Sequence, residues 1–182
     1  MYNPDIPRAI QFAQEAHGDQ RRLYTGDTYT THTVAVAVAV AVRGVDDDVI
    51  IAAHLHDVVE DTDRSIDDIR SAFGDRVARI VTILSDPPVV KGINRKARKA
   101  ATRMRYLMAQ GQDSIDANTI KFADCYDNAL SIKVYDSDFW KVYRSEVSDL
   151  VKVMVLGDEF LKRRLIDIIS NEEGDIHKTH GS

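Results

Sequence analysis

Apolar residues along this chain recur mostly every three or four positions, the spacing of helices that bury one face. From Pro7 to His17 the apolar positions are Ile10, Ala13 and Ala16, with Phe12 beside them, and the proline sits where a helix's first turn tolerates it. Between Arg76 and Leu84, Val77, Ile80, Val81 and Leu84 share one face before Pro87-Pro88 breaks the chain. Ser65 and Asp68 form a capping pattern for a short helix reaching Phe73, closed by Gly74. A basic segment from Asn94 to Gln110 is expected to be a surface helix stopped at Gly111. Asp113 or Ser114 is expected to cap a longer helix through Ile120, Ala123 and Ile132. Segments from about Phe139 to Leu156 and from Glu159 to Ile169 complete the helical pattern. The polar, glycine-containing stretch from Gly18 to Thr33 reads as a loop.

One tract resists this reading. Val34 to Val42 alternates valine and alanine, which taken as period two would be a strand. Alternation of two apolar residues leaves neither face polar, so the period carries little information, and propensity is divided. Its helical surroundings and the lack of a partner strand favour a buried helix. The fold class expected is all-α, a helical bundle forming one domain over residues 1–182 with a polar tail from about 171.

Composition narrows the classes of function. With 44% hydrophobic and 29% charged residues, the 182-residue chain has the make-up of a globular protein. Its net charge of −5 argues against a general nucleic-acid partner. The longest apolar run is well short of a membrane span, and the start lacks the basic region of a secretory signal. Cys125, alone, excludes an internal disulfide. A cytoplasmic protein with no membrane partner is expected.

The chemistry concentrates at His56-Asp57, followed by Glu60-Asp61. On a continuous helix from Asp46 to Val59 and beyond, these four side chains would lie on one face. Ile50, Ile51, Ala52, Ala53 and Leu55 place that helix in the core, where carboxylates need partners. A divalent cation would satisfy them, and imidazole with carboxylate suits manganese, iron, zinc or a similar metal. A solvated acidic surface is the competing reading. Asp124, among Ile120, Phe122 and Ala123, also asks for a cation or for donors, and Lys121 one turn away would serve as a plain ion-pair partner. His32 is uninformative by itself.

Taken in order, the residues resemble the hydrolase domain of the RelA/SpoT-homologue alarmone family, above all its small single-domain members of the HD superfamily. The resemblance runs through Ala16-His17, Gln20-Arg21-Arg22, Gly26-Asp27-Thr28-Tyr29-Thr30-Thr31-His32, His56-Asp57-Val58-Val59-Glu60-Asp61-Thr62, Phe73-Gly74 and Lys121-Phe122-Ala123-Asp124-Cys125-Tyr126-Asp127-Asn128. It covers about residues 8 to 150. It implies an all-helical fold and a metal held by His32, His56, Asp57 and Asp124, with Glu60 and Asp61 as the catalytic acid/base pair. It further implies Arg22 for packing on a nucleotide base, and Asn128 and Tyr143 for holding substrate. The implied reaction removes the 3′-pyrophosphate from guanosine tetra- or pentaphosphate. Manganese is the implied cofactor, with zinc, iron or magnesium as other cations. Thr28 and Thr33 depart from the family, standing where proline is usual, and Leu23 occupies a place often basic. These departures leave room for a different nucleotide, such as a deoxynucleoside triphosphate or NADPH. A non-catalytic helical binding module is the remaining alternative, and the oligomeric state is open.

The remaining residues are assigned more modestly. His54 is expected in the core facing away from the metal side, and His17 packing under the Arg22 loop. Trp140 should anchor its helix, and Cys125 should pack rather than react. Lys91, Arg95, Lys96, Arg98, Lys99, Arg103 and Arg105 are either a solvated face or a positive wall for a phosphorylated ligand, with a subset facing the site. His177 and His180 receive no role.

Overall fold

The computed structural model describes residues 3–86 and 92–171. Within them the helices are α1 (Asp5–His17), α2 (Thr30–Ala41), α3 (Asp47–Leu55), α4 (Val58–Asp61), α5 (Ile66–Phe73), α6 (Asp75–Leu84), α7 (Arg95–Met108), α8 (Gln112–Tyr135), α9 (Ser137–Val153) and α10 (Glu159–Ser170). Among the described residues there is no strand, only an isolated bridge between Arg21 and Thr28. The fold is all-α. No helix among these residues is long and apolar enough to cross a membrane.

Helix α8 is the axis of the bundle. Its 24 residues span about 36 Å at 1.5 Å per residue, and α2, α6, α9 and α10 pack around it. Helix α3 packs against α1, α2 and α6. Ile120, Phe122, Ala117 and Ala129 of α8 meet Val36, Val40, Ile51, Leu55, Ile80 and Leu165 in one buried cluster.

The valine–alanine tract is helical, and burial shows why. Val36, Ala37 and Val40 are buried while Val34, Val38 and Val42 are exposed, a repeat of about four residues. The loop before it is shorter than the sequence suggests: α2 begins at Thr30, so His32 belongs to a helical first turn. The intervening chain folds on itself through Arg22 N–H to the Asp27 carbonyl (2.9 Å) and Tyr29 N–H to the Gln20 carbonyl (3.0 Å).

Two other expectations are corrected. The helix expected to run unbroken through His56-Asp57 ends at Leu55, turns at those two residues and restarts as α4. Helix α8 starts at Gln112 with Gly111 before it at φ 78°, and neither Asp113 nor Ser114 caps it. Asp113 is instead occupied by Arg79, 2.6 Å away. The Ser65–Asp68 capping box is present as expected, and Asp46 caps α3 by accepting from Val49 N–H. Arg76 binds Asp46, Asp48 and Asp116 together, tying the starts of α3 and α8 to α6. Pro87-Pro88, Lys91, His177, His180 and the tail beyond Asn171 lie outside the described residues.

Candidate active site

Three elements bring the acidic and imidazole groups together. His32 comes from the first turn of α2, His56 and Asp57 from the turn that ends α3, and Asp124 from the middle of α8. One donor atom from each lies within 4.8 Å of every other. His56 and Asp57 sit between α3 and α4 with their backbone still in the right-handed helical region. His32, His56 and Asp124 are buried and Asp57 is half-buried.

Each imidazole is oriented through its Nδ1. That of His56 contacts the Ala53 carbonyl at 2.8 Å, and that of His32 contacts Asp127 Oδ2 at 2.7 Å. Both acceptors call for a proton on Nδ1, which leaves Nε2 as the inward-facing atom. The Nε2 atoms of His32 and His56 are buried and make no hydrogen bond. The nearby carboxylate oxygens (3.2 Å from His32 Nε2 to Asp124 Oδ1, 3.0 Å from His56 Nε2 to Asp57 Oδ2) are close enough to attract but lack hydrogen-bond geometry.

The electrostatics describe a site that wants positive charge. Burial opposes a proton on His32, but Asp124, Asp127 and Asp57 outweigh it and push the imidazole up to about 11. Burial likewise opposes charge on His56, which Asp57 and Asp124 raise to about 9. Burial would raise Asp57 and Asp124, yet His56 and His32 at Asp57, and Lys121 with both histidines at Asp124, hold them well below the usual carboxylate range. Protons here do what a cation would do in their place. Two unpartnered imidazole nitrogens and two carboxylates converging on one point therefore fit a divalent metal, whose binding would displace those protons.

The carboxylates are held from behind. Tyr29 O–H donates to Asp57 Oδ2 at 2.6 Å, Asn128 Nδ2 to Asp124 Oδ1 at 2.6 Å, and Lys121 Nζ pairs with Asp124 Oδ2 at 2.6 Å. Lys121 thus does form the expected ion pair, without taking Asp124 out of the cluster. Glu60 stands in the short helix α4 and accepts from the Asp86 N–H. Its side chain is exposed, and partial desolvation with the charges of Asp57 and Asp86 raises its carboxyl above the ordinary value, against the pull of Lys121. Asp61 ends α4 and is exposed.

A cleft opens beside Asp124 and Asn128, walled by α7 on one side and by Tyr143 of α9 on the other. Of the basic segment, Arg95, Lys99 and Arg103 line it. Arg95 is clasped by Glu146 at 2.7 and 2.8 Å, and Arg105 is turned toward Asp86 and the Ile83 carbonyl. Lys99 is only loosely paired, 3.7 Å from Asp86. Tyr143 O–H donates to the Cys125 carbonyl at 3.0 Å. Arg22 is not in the cleft wall; its guanidinium is fixed edge-on by Asp127 (2.6 Å) and Ser131 (3.3 Å).

Other residues behave structurally. His17 contacts Gln20 through Nδ1 at 2.8 Å and packs its ring 4.6 Å from Tyr29. His54 is buried and its imidazole is pushed down to about 4 by burial and then by His56. Burial pushes the Cys125 thiol up to about 12, so it packs and is a poor nucleophile. Trp140 is buried and stacks on Tyr143. Tyr29, Asp86 and Asp127 take part in the site although the sequence assigns them no role. Asp127 had one available signal, its position three residues after Asp124 on the same helical side.

Comparison with known proteins places the chain among relatives of one family. The family model described as "HD domain" matches residues 9–150. The guanosine-3′,5′-bis(diphosphate) 3′-pyrophosphohydrolase of Aquifex aeolicus is 33% identical over 165 residues, 90% of this chain. The chain spans under a quarter of the length of that relative, 23%. The Drosophila melanogaster enzyme of the same description, MESH1, is 34% identical over 140 residues, covering 75% of this chain and 74% of the relative. A solved structure of a metazoan orthologue of SpoT, described as hydrolysing ppGpp, superposes with a TM-score of 0.81 at 26% identity, covering 93% of this chain and 96% of that one.

Proposed function

The chain belongs to the HD domain family, and from that membership we propose that it is a metal-dependent hydrolase removing the 3′-pyrophosphate from guanosine tetra- or pentaphosphate. The observation that carries the reading is the convergence of His32, His56, Asp57 and Asp124, the last of which also lines a cleft that α7 supplies with Arg95, Lys99 and Arg103. The 3′-pyrophosphohydrolase description of the Drosophila relative, matched over most of its length, supports the choice of substrate.

In this reading His32 Nε2, His56 Nε2 and the carboxylates of Asp57 and Asp124 hold the cation, with manganese the first candidate and zinc, iron or magnesium the others. A divalent cation so bound supplies a water of lowered pKa and a counter-charge for phosphate oxygens. Glu60 moves the proton: its carboxyl, raised by desolvation, is closer to the working pH than an ordinary glutamate. Asp61, exposed beside it, completes the acid/base pair. Lys99 and Arg103 line the cleft as partners for phosphate oxygens, and Lys99 can exchange its loose contact with Asp86 for one. Asn128 orients Asp124 and reaches the cleft, and Tyr143 closes its far side. Arg22, engaged at both terminal nitrogens by Asp127 and Ser131, is the residue this proposal assigns to the nucleotide base. One domain in a reducing, cytoplasmic setting, without nucleic-acid or membrane partners, belongs to the same proposal.

A second reading, hydrolysis of another nucleotide such as a deoxynucleoside triphosphate or NADPH, is favoured by Leu23. This side chain is 85% exposed next to Arg22 and offers no charge to a phosphate. The test is product analysis of the manganese-loaded protein against guanosine tetraphosphate, the common NTPs and dNTPs, and NADPH, with Asp57→Ala as control. Selective release of pyrophosphate from guanosine tetraphosphate supports the first reading. Turnover confined to the other nucleotides supports the second, and no turnover of any refutes both.

A further inference from the structure

Asp127 joins two parts of the site that are far apart in sequence. Its Oδ2 lies 2.7 Å from His32 Nδ1 and 2.6 Å from an Arg22 guanidinium nitrogen. The three side chains are mostly buried, with 1%, 14% and 20% of the His32, Arg22 and Asp127 side chains exposed. Arg22 is anchored at its other nitrogen by Ser131 Oγ, one turn further along α8. Unlike His56, whose Nδ1 faces a backbone carbonyl fixed by α3, His32 depends on this side chain for its orientation.

We infer that Asp127 is a positioning residue for the metal centre: it holds the Nδ1–H tautomer of His32, keeps Nε2 turned inward, and is itself held by Arg22. The inference rests on the assignment of His32 as a metal ligand. A carboxylate accepting the outer N–H of a ligating imidazole fixes ring rotation and tautomer and makes the inner nitrogen a stronger donor; loss of such a partner typically weakens metal binding roughly 10–100-fold. The Arg22 guanidinium has a reason to be there, since it compensates the Asp127 charge and fixes the carboxylate's own rotamer. Its consequence is a physical link from the residue proposed to meet the base to a residue proposed to meet the metal.

The test is direct titration with Mn(II), read by the EPR signal of the free ion, on wild type, Asp57→Ala, Asp127→Ala and Asp127→Asn. Imidazole ¹⁵N shifts of His32 would be recorded on the metal-free proteins. Asp127→Ala is expected to bind Mn(II) roughly 10–100-fold more weakly, with the His32 ¹⁵N pattern no longer that of a single Nδ1-protonated or doubly protonated ring. Asp127→Asn retains an acceptor oxygen and is expected to recover much of the affinity; it also serves if the alanine variant does not fold. If Asp57→Ala loses the ion while both Asp127 variants bind as wild type does, the centre stands and the role of Asp127 is refuted. If wild type and Asp57→Ala bind alike, the metal assignment itself is refuted, and the inference with it.

Discussion

Lys121 and Asp124 form an ion pair at 2.6 Å in the middle of α8, and only Oδ2 of the carboxylate takes part in it. The other oxygen accepts from Asn128 and faces His32 Nε2 at 3.2 Å. A carboxylate has enough lone pairs to do both, so the ion pair and the metal site are parts of one arrangement. Lys121 offsets part of the charge that Asp57, Asp124 and Glu60 gather at this point.

Removing that lysine leaves a buried carboxylate short of a partner. Lys121→Met is expected to destabilise the metal-free protein by about 3 kcal/mol, the usual result of breaking a buried pair from one side. Urea unfolding in the presence of a chelator measures it; an unchanged midpoint would mean the pair contributes nothing.

Glu60 should show the opposite sign. Its carboxyl is raised in the folded state, so ionising it costs the fold. The cost is absent below the unfolded-state pKa and is complete once the pH exceeds the folded one. Glu60→Gln keeps an acceptor for the Asp86 N–H without the charge, and is expected to be the more stable protein at pH 7 but not near pH 3, while losing turnover. Melting curves at the two pH values and a rate assay check this. A variant that melts lower at pH 7, or turns over normally, contradicts it.

Lys99 and Arg103 test the cleft wall. With each replaced by alanine, KM for a phosphorylated nucleotide should rise about tenfold or more, the worth of a charge-assisted hydrogen bond, with a smaller effect on kcat. Arg105→Ala, whose guanidinium is committed to Asp86 and Ile83, should act on stability instead. Steady-state kinetics beside melting curves separates the two patterns; equal effects on KM from all three would contradict the assignment.

Gly157, in the turn between α9 and α10, has φ +140°, and a β-carbon there would meet the Phe122 ring at 2.7 Å and Asn118 Cβ at 3.2 Å. Gly157→Ala is expected to cost about 2–4 kcal/mol from backbone strain and overpacking, read by denaturant unfolding. A loss below about 0.5 kcal/mol, the scale of ordinary surface changes, would show that the turn adjusts freely.

The helical class and the main elements were legible because one-faced apolar spacing, the Ser65–Asp68 box and the glycine stops are local signals. The Val34–Val42 tract was settled by its surroundings, since neither of its residue types marks a polar face. The apolar run predicts a continuous helix through His56 and Asp57, and nothing local in it announces the turn at those two residues. The polar run Thr30-Thr31-His32-Thr33 reads as loop, whereas the helix begins inside it. Asp124 was visible as an aspartate among apolar neighbours. Asp127, one turn from Asp124 on the same side of α8, carries a local hint of a role, but its partners His32 and Arg22 lie about a hundred residues away and nothing local reports them.

The most direct test of the account follows the phosphorus atoms. Guanosine tetraphosphate would be incubated with the manganese-loaded protein and with its Asp57→Ala variant and watched by ³¹P NMR. The account predicts loss of the 3′-diphosphate resonances, appearance of free pyrophosphate and an intact 5′-diphosphate, all absent with the variant. Resonances that persist unchanged with the wild-type protein, or loss of the 5′ chain instead, would contradict it.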